Sequence, residues 1–293
     1  MRAGGLAALG VTLAACSKSG GGAKGKSLQG IIAGRRQNAT VVSVQGETIA
    51  GGSRRFPFAL FDLKTNTPQQ GARVQLWVAK DQTSPAQGPF DAIWHDEGLG
   101  VKGVYVAHLP LPTDGAWLIL ALARMPGAAQ TLIGGTQVAV GRRNNQPKPG
   151  EKAISVATPT VSDHRGVNPI CTQKPKACSM HDISLDVALK NGKPTVLVLA
   201  TPAFCESRTC GPVVDIIDGV KKSNPGVNFV HIEEFKDDKD APAKALLAPA
   251  AAAWKLEEEP STYFIGTDGI IVERFIGSAD AVEVAEQVRA LTA

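Results

Sequence analysis

The chain has 293 residues, 43% of them hydrophobic and 20% charged, a globular composition with room for two domains of ordinary size. Its formal net charge is only +4 and the basic residues are scattered, so the charge gives no support for nucleic-acid binding. No internal repeat is evident.

The N-terminal segment is apolar or small over residues 3–15 and ends in the sequence LAAC at Cys16. This resembles the lipobox of bacterial lipoproteins, in which a signal peptidase cuts before the cysteine and that cysteine is lipidated. The alternative is a secretory signal with an incidental cysteine. The resemblance implies a signal peptide at 1–16, a flexible tether at 17–29, and an extracytoplasmic protein anchored to the cell membrane through lipid on Cys16.

Residues 30–145 are predicted to form an all-β domain, because short apolar runs alternate with turn-forming clusters. Seven strands at this spacing favour a β-sandwich. Residues 103–123, GVYVAHLPLPTDGAWLILALA, resemble the last hairpin of immunoglobulin-like sandwich domains in exported bacterial proteins. The expected role is that of a spacer or docking domain. The predicted strands are Thr40–Val44, Phe56–Asp62, Ala72–Ala79, Ala92–Trp94, Gly103–Leu109, Ala116–Ala123 and Thr136–Val140.

Residues 146–168 are rich in proline, lysine and threonine and are predicted to be an inter-domain linker. The second domain is then expected to cover residues 169–293. Its central feature is a continuous apolar strand, Pro194–Ala200, followed by Cys205 and Cys210 and by apolar residues at helical spacing. Thiols at a helix N-terminus lie where unpaired N–H groups and the helix dipole stabilise a thiolate. The pattern therefore predicts a redox site.

The remaining elements of this domain are a second strand, an alanine-rich helix, a β-hairpin with Asp-Gly in its turn and a final helix, which gives the order β-α-β-α-β-β-α. Over residues 180–293 this order resembles the thioredoxin fold, with Phe204-Cys205 at the nucleophilic cysteine. The sequence EPST at 259–262 resembles the loop whose proline is cis and faces the dithiol. The resemblance implies that Cys205 is the nucleophile, that Cys210 resolves the mixed disulfide, and that Pro260 lies beside the thiols where an extended substrate docks.

Two features depart from the thioredoxin pattern. The motif is C-x4-C, and two residues five apart inside a regular helix would have Cα atoms about 8–9 Å apart, beyond the disulfide limit of about 7 Å. Either the helix begins near Gly211, or its first turn unwinds on oxidation. The strand TVLVLA also lacks the buried carboxylate that thioredoxins use as a proton acceptor, and Glu206 is expected to be solvated. An inert disulfide that staples the turn is the alternative.

Cys171 and Cys178 precede the domain core. Outside the cytosol disulfides persist, and proximity in sequence favours a structural disulfide between these two and another between Cys205 and Cys210. A second redox pair is an alternative, and Cys178 with Met180 and His181 forms a soft-ligand set that suits Cu(I). Packing and capping are the simpler interpretation, so no metal site and no cofactor are assigned. His231 is expected at the surface.

The predicted function is thiol–disulfide exchange by a membrane-anchored protein, with exported protein thiols or disulfides and a membrane redox partner as its partners. One alternative is a peroxiredoxin-like peroxidase with Cys205 peroxidatic and Cys210 resolving. Against it, Pro260 occupies the position of that family's activating arginine, and one residue is inserted between Thr201 and Cys205. The other alternative is a non-enzymatic copper-binding or interaction lipoprotein.

Overall fold

A computed structural model describes residues 25–100, 103–239 and 241–293. The predicted signal peptide and Cys16 lie outside these ranges. Within them, no helix is both long enough and apolar enough to cross a bilayer. Contacts divide the described residues into an N-terminal unit (25–43, 48–94 and 105–141) and a C-terminal unit (44–47, 95–100, 103–104, 142–239 and 241–293).

The N-terminal unit contains all seven predicted strands, which pair into one closed sheet. Its elements are α1 (Leu28–Ile32), β1 (Ala39–Ser43), β2 (Gly51–Asp62), β3 (Arg73–Ala79), β4 (Gln87–His95), β5 (Val104–Leu111), β6 (Gly115–Arg124) and β7 (Thr131–Val140). Strand β1 is antiparallel to β2 and parallel to β7, so the order β1-β2-β5-β4-β3-β6-β7 closes on itself. An immunoglobulin-like sandwich is not confirmed, because β1 joins both ends of a continuous sheet.

The core of the closed sheet is built from alternating side chains. Phe56, Phe58 and Leu60 alternate along β2 and are buried, and the ring of Tyr105 stacks on Phe58. The Tyr105 hydroxyl accepts a hydrogen bond from the Ala72 N–H at 2.8 Å, which gives this buried polar group a partner.

The elements of the C-terminal unit are α2 (Leu185–Ala188), β8 (Thr195–Leu199), α3 (Cys210–Lys221), β9 (Asn228–Ile232), α4 (Ala241–Lys244), α5 (Pro249–Ala253), β10 (Ser261–Ile265), β11 (Ile271–Ile276) and α6 (Ala281–Thr292). From β8 onward they follow the predicted order β-α-β-α-β-β-α, whereas the short helix α2 is not part of that prediction. The predicted alanine-rich helix is two short helices, α4 and α5, and Pro249 begins the second, where a missing N–H costs nothing. The four-stranded sheet has the order β11-β10-β8-β9, with β9 parallel to β8, and β10 antiparallel to both β8 and β11.

Every residue of β8, β9 and β10 is buried, the pattern of strands covered on both faces. Val196 and Val198 of β8 pack in a cluster with residues of α3 and α6, whereas Leu197 and Leu199 pack in the other cluster with Trp254. The alternation of β8 therefore holds α3 against one face of the sheet, with the helix N-terminus beyond the end of the strand.

Residues 146–168 are not a solvated linker, which corrects that prediction. Gln146 and Thr158 are fully buried in the C-terminal unit. The Gln146 side-chain amide donates to the hydroxyls of Ser261 at 3.0 Å and Tyr263 at 3.2 Å. Ala153 and Val167 of the same segment lie in the apolar cluster around Trp254. The long C-terminal segment of this unit therefore begins near residue 142 rather than 169.

A buried ion-pair cluster stabilises the same unit. The Glu47 carboxylate accepts hydrogen bonds from Lys148, from Arg274 at 2.5 Å and from the backbone N–H of Arg143 at 2.6 Å. Burial raises the pKa of Glu47, but these bonds outweigh it and hold that pKa at about 2. The Glu47 carboxylate is therefore ionised and forms ion pairs with both Lys148 and Arg274.

Candidate active site

The C-x4-C motif spans the turn between β8 and α3. Helix α3 begins at Cys210, and Cys205 lies in the preceding turn. Their Cα atoms are 6.0 Å apart and their sulfur atoms form a disulfide. The structure thus has the arrangement in which the helix begins near Gly211, and the pairing of Cys205 with Cys210 agrees with the sequence prediction.

The two sulfur atoms differ in their surroundings. Cys210 is 0% exposed, whereas Cys205 is 8% exposed. The Cys205 sulfur accepts the N–H of Cys210, the first residue of α3, at 3.3 Å and lies 3.2 Å from the Ser207 hydroxyl oxygen. A helix N–H and a hydroxyl both stabilise a thiolate. These contacts favour Cys205 as the attacking sulfur and Cys210 as the resolving one, an assignment that stays a prediction.

The loop before β10 lies beside the disulfide. The Glu259–Pro260 peptide bond is cis, as the resemblance implies. Pro260 is buried, and its carbonyl oxygen accepts the N–H of Gly277 at 2.9 Å. A carboxylate oxygen of Glu259 and the sulfurs of Cys205 and Cys210 all lie within 4.8 Å of one another. The residue before the proline therefore faces both sulfurs.

Glu259 is a candidate site residue that the sequence analysis missed. Its Oε2 accepts the backbone N–H of Thr201 at 2.7 Å. Burial, together with the charges of Glu234 and Glu233, raises the pKa of Glu259 to about 8. A carboxyl with this pKa exchanges protons near neutral pH, beside sulfurs whose chemistry requires proton transfer. Its position directly before a predicted cis-proline is the pattern that could have revealed it.

Glu233 is a second buried carboxyl near this loop. It accepts hydrogen bonds from the Thr172 N–H at 2.5 Å and from the Thr201 hydroxyl at 2.8 Å. Burial raises the pKa of Glu233. Thr201 therefore bonds to Glu233 through its hydroxyl and to Glu259 through its N–H. Glu206 is exposed, as expected.

The second pair of cysteines has a different arrangement. Cys171 and Cys178 are free thiols whose sulfur atoms are 3.6 Å apart, so the disulfide predicted between them is not formed. Both sulfurs instead face a third group, His231, whose Nδ1 is 3.7 Å from the Cys171 sulfur and 3.4 Å from that of Cys178. His231 is fully buried, so its expected surface position is wrong.

The thiols and the imidazole of this second cluster shift one another's pKa values. Hydrogen bonding between the two sulfurs lowers the pKa of Cys171 and raises that of Cys178. Burial alone lowers the pKa of His231, but the hydrogen bond to Cys171 and the charge of Glu233 raise it to about 9. The structure thus places two thiol groups beside an imidazole, in a site separate from the Cys205–Cys210 disulfide.

No family model matches the chain, and no curated protein matches it. Among solved structures, it is similar to a thiol:disulfide interchange protein of the thioredoxin family from Chlorobium tepidum TLS, at 15% identity and a TM-score of 0.34, covering 52% of this chain and 100% of that one. A putative thiol:disulfide interchange protein DsbE from Chlorobium tepidum is 14% identical with a TM-score of 0.35, covering 51% and 100%. StoA from Bacillus subtilis is 16% identical with a TM-score of 0.31, covering 46% and 98%.

Proposed function

We propose that the C-terminal unit catalyses thiol–disulfide exchange through Cys205 and Cys210. The protein acts outside the cytoplasm, tethered to the cell membrane by lipid on Cys16, and its substrates are thiols or disulfides of exported proteins. One observation carries the proposal: the disulfide lies at the N-terminus of α3, with the Glu259 carboxylate within 4.8 Å of both sulfurs.

The reduced dithiol transfers two electrons in two steps. The Cys205 thiolate attacks one sulfur of a substrate disulfide, which forms a mixed disulfide and releases one substrate thiolate. Cys210 then loses its proton and attacks the Cys205 sulfur, which forms the intramolecular disulfide and releases the second substrate thiolate. A dithiol on a membrane redox partner reduces the disulfide again. The same steps in reverse form a disulfide in the substrate.

Glu259 serves the second step. Cys210 is fully buried and must give up its proton before it attacks, and the departing substrate thiolate must gain one. The Glu259 carboxylate accepts the first proton, and the protonated carboxyl donates it to the leaving thiolate. A pKa of about 8 makes both protonation states accessible near neutral pH. Pro260 holds Glu259 in place and contributes backbone beside the sulfurs for an extended substrate.

Trapping of the mixed disulfide tests these roles. The full chain is purified, reduced and mixed with insulin, and covalent adducts are identified by non-reducing electrophoresis and mass spectrometry. Cys210→Ser is expected to accumulate a covalent adduct with insulin through Cys205. Cys205→Ser should form no adduct, and in the wild type Cys210 should resolve the adduct so that it does not accumulate. Insulin reduction is expected to fall at least about 100-fold in both variants. Unchanged insulin reduction in Cys205→Ser would overturn the assignment.

Consumption of hydrogen peroxide separates this function from the peroxidase alternative, which uses the same two cysteines. The proposal predicts that wild type consumes peroxide no faster than Cys205→Ser. Peroxide consumption that requires Cys205, combined with insulin reduction that does not, would assign a peroxidase instead. If dithiothreitol does not reduce the Cys205–Cys210 disulfide in the folded protein, the bond is a structural disulfide without a redox role.

A further inference from the structure

Four side chains with metal-binding atoms form a buried cluster apart from the redox disulfide. Cys171, Cys178 and His181 lie on the segment before α2, and His231 lies on β9. One donor atom from each lies within 4.8 Å of the others. The four residues are 7%, 9%, 1% and 0% exposed, respectively. The fold thus brings two sulfurs and two imidazoles together in the interior.

We propose that Cys171, Cys178, His181 and His231 bind one Zn²⁺ ion in a tetrahedral Cys2His2 site. With Zn–S bonds of about 2.3 Å and Zn–N bonds of about 2.0–2.1 Å, tetrahedral angles place the donor atoms roughly 3.4–3.8 Å apart. The two sulfurs are 3.6 Å apart, and Nδ1 of His231 lies 3.7 Å and 3.4 Å from them. These three distances between donor atoms therefore already match those of a tetrahedral zinc site.

A hydrogen bond from the ring nitrogen that does not face the sulfurs fixes the orientation of His231. Its Nε2 lies 2.9 Å from the carbonyl oxygen of Ala200, to which the Nε2–H donates. Such a bond fixes the ring and directs Nδ1 toward the metal, as in many metal-binding histidines. The backbone N–H of Cys178 also donates to the Cys171 sulfur at 3.3 Å, a contact that stabilises a thiolate ligand.

His181 supplies an independent observation. Its ring is 1% exposed, and neither ring nitrogen has a hydrogen-bond partner among the described residues. Leaving a buried polar group unpaired costs about 1–3 kcal/mol, so such groups are rare in folded proteins. Coordination of a metal ion by one of these nitrogens accounts for one of the two missing partners. The His181 ring lies 5.2 Å from that of His231, centre to centre, close enough for both to bind one ion.

Charge favours Zn²⁺ over Cu(I). Two thiolates and one Zn²⁺ ion sum to zero, whereas two thiolates and one Cu(I) ion leave a net negative charge in a fully buried site. Glu233, itself buried and 4.0 Å from Nε2 of His231, makes a second buried negative charge still less favourable. Four protein ligands leave no open position, which indicates a structural site that fixes the 171–181 segment to β9.

The test uses the full chain, reduced and stripped of metal by a chelator. The expected result is one equivalent of Zn²⁺ per chain, with a Kd of about 10⁻⁸ M or tighter. Co²⁺ in its place is expected to show the intense visible bands of a tetrahedral ion and thiolate-to-cobalt charge transfer. His181→Gln is expected to weaken Zn²⁺ binding at least about 100-fold, while the exposed-histidine control His164→Gln leaves it unchanged.

Further variants separate this site from the redox disulfide. Cys205→Ser and Cys210→Ser are expected to retain Zn²⁺, so the inference stands or falls independently of the proposed function. If zinc binding follows Cys205 or Cys210 instead, or persists unchanged in His181→Gln, the site is wrong. An octahedral Co²⁺ spectrum in the wild-type protein, no bound Zn²⁺, or a stronger preference for Cu(I) in direct competition would each also overturn the proposal. The wild-type measurements decide the question even if a variant fails to fold.

Discussion

Replacing Glu259 by Gln is expected to make the folded protein more stable at high pH. The Gln side-chain oxygen can still accept the 2.7 Å hydrogen bond from Thr201, but it cannot ionise. The pKa of Glu259 is raised from an ordinary 4.5 to about 8, so its contribution to the free energy of unfolding is complete below pH 4.5 and is lost as the pH rises through about 8. At about 1.4 kcal/mol per pH unit the loss is at most about 5 kcal/mol, and partial exposure reduces it to a few.

The same replacement is expected to slow thiol exchange. At pH 7 a carboxyl with a pKa of about 8 is roughly 10% ionised, so resolution of the mixed disulfide by Cys210 should accelerate about tenfold as the pH rises past 8. Glu259→Gln should lose this inflection and be about 100-fold slower at pH 8, a typical contribution of general acid–base catalysis. Together the two effects predict a variant that is stabilised above pH 8 yet slower.

The measurements are urea unfolding of the oxidised protein between pH 5 and 9, and stopped-flow kinetics of mixed-disulfide resolution over the same range. Glu286→Gln, which removes an exposed carboxylate on α6, is the matched control and should change neither property. The reasoning would be refuted if Glu259→Gln kept the wild-type pH profile of resolution. It would also be refuted if the variant were less stable than wild type at pH 9.

Two further replacements test the packing of the C-terminal unit. Glu47→Gln should lower the free energy of unfolding by about 3 kcal/mol at pH 7, because the pKa of Glu47 is depressed to about 2 in the folded protein. In an acid-unfolding series, this difference between the variant and wild type should shrink below pH 4.5 and vanish near pH 2. Gly277→Ala should cost about 2 kcal/mol in urea unfolding, since φ is +78° and the added Cβ would lie 2.8 Å from the Val44 carbonyl oxygen. Gly219→Ala in α3, where a Cβ meets nothing within 4 Å, should instead be neutral or stabilising, and equal losses at both glycines would contradict the reasoning.

The strands of the N-terminal unit were predictable, but their closure was not. Alternating apolar residues and turn clusters mark each strand, and all seven predicted strands are present. A sandwich and a closed sheet bury one face of each strand in the same way, so the same alternation fits both. The difference lies in the backbone pairing of Ala39 and Thr40 with Gly134 and Gly135. Backbone pairing does not change the pattern of hydrophobic residues along the sequence.

The misassigned linker has a related cause. Residues 146–168 contain few apolar side chains at regular spacing, which is why composition predicts a solvated segment. Part of their burial depends on hydrogen bonds to distant residues, such as those from Gln146 to Ser261 and Tyr263 more than a hundred positions away. The same polar residue occurs in the sequence whether its side chain bonds to buried partners or to water. Only the fold distinguishes the two cases.

The two cysteine pairs show how far spacing alone can mislead. The five-residue spacing of Cys205 and Cys210 is too wide for a disulfide inside a regular helix, yet the start of α3 at Cys210 leaves the other cysteine in a turn that brings the Cα atoms to 6.0 Å. The spacing of Cys171 and Cys178 favours a disulfide by proximity in sequence, yet the two thiols are free and both sulfurs face His231, which is 53 positions beyond Cys178. Whether a pair is oxidised, reduced or metal-bound depends on which third group the fold brings to the sulfurs. At the first pair that group is the Glu259 carboxyl, and at the second it is the His231 imidazole, which is why we propose proton transfer at the first pair and metal binding at the second.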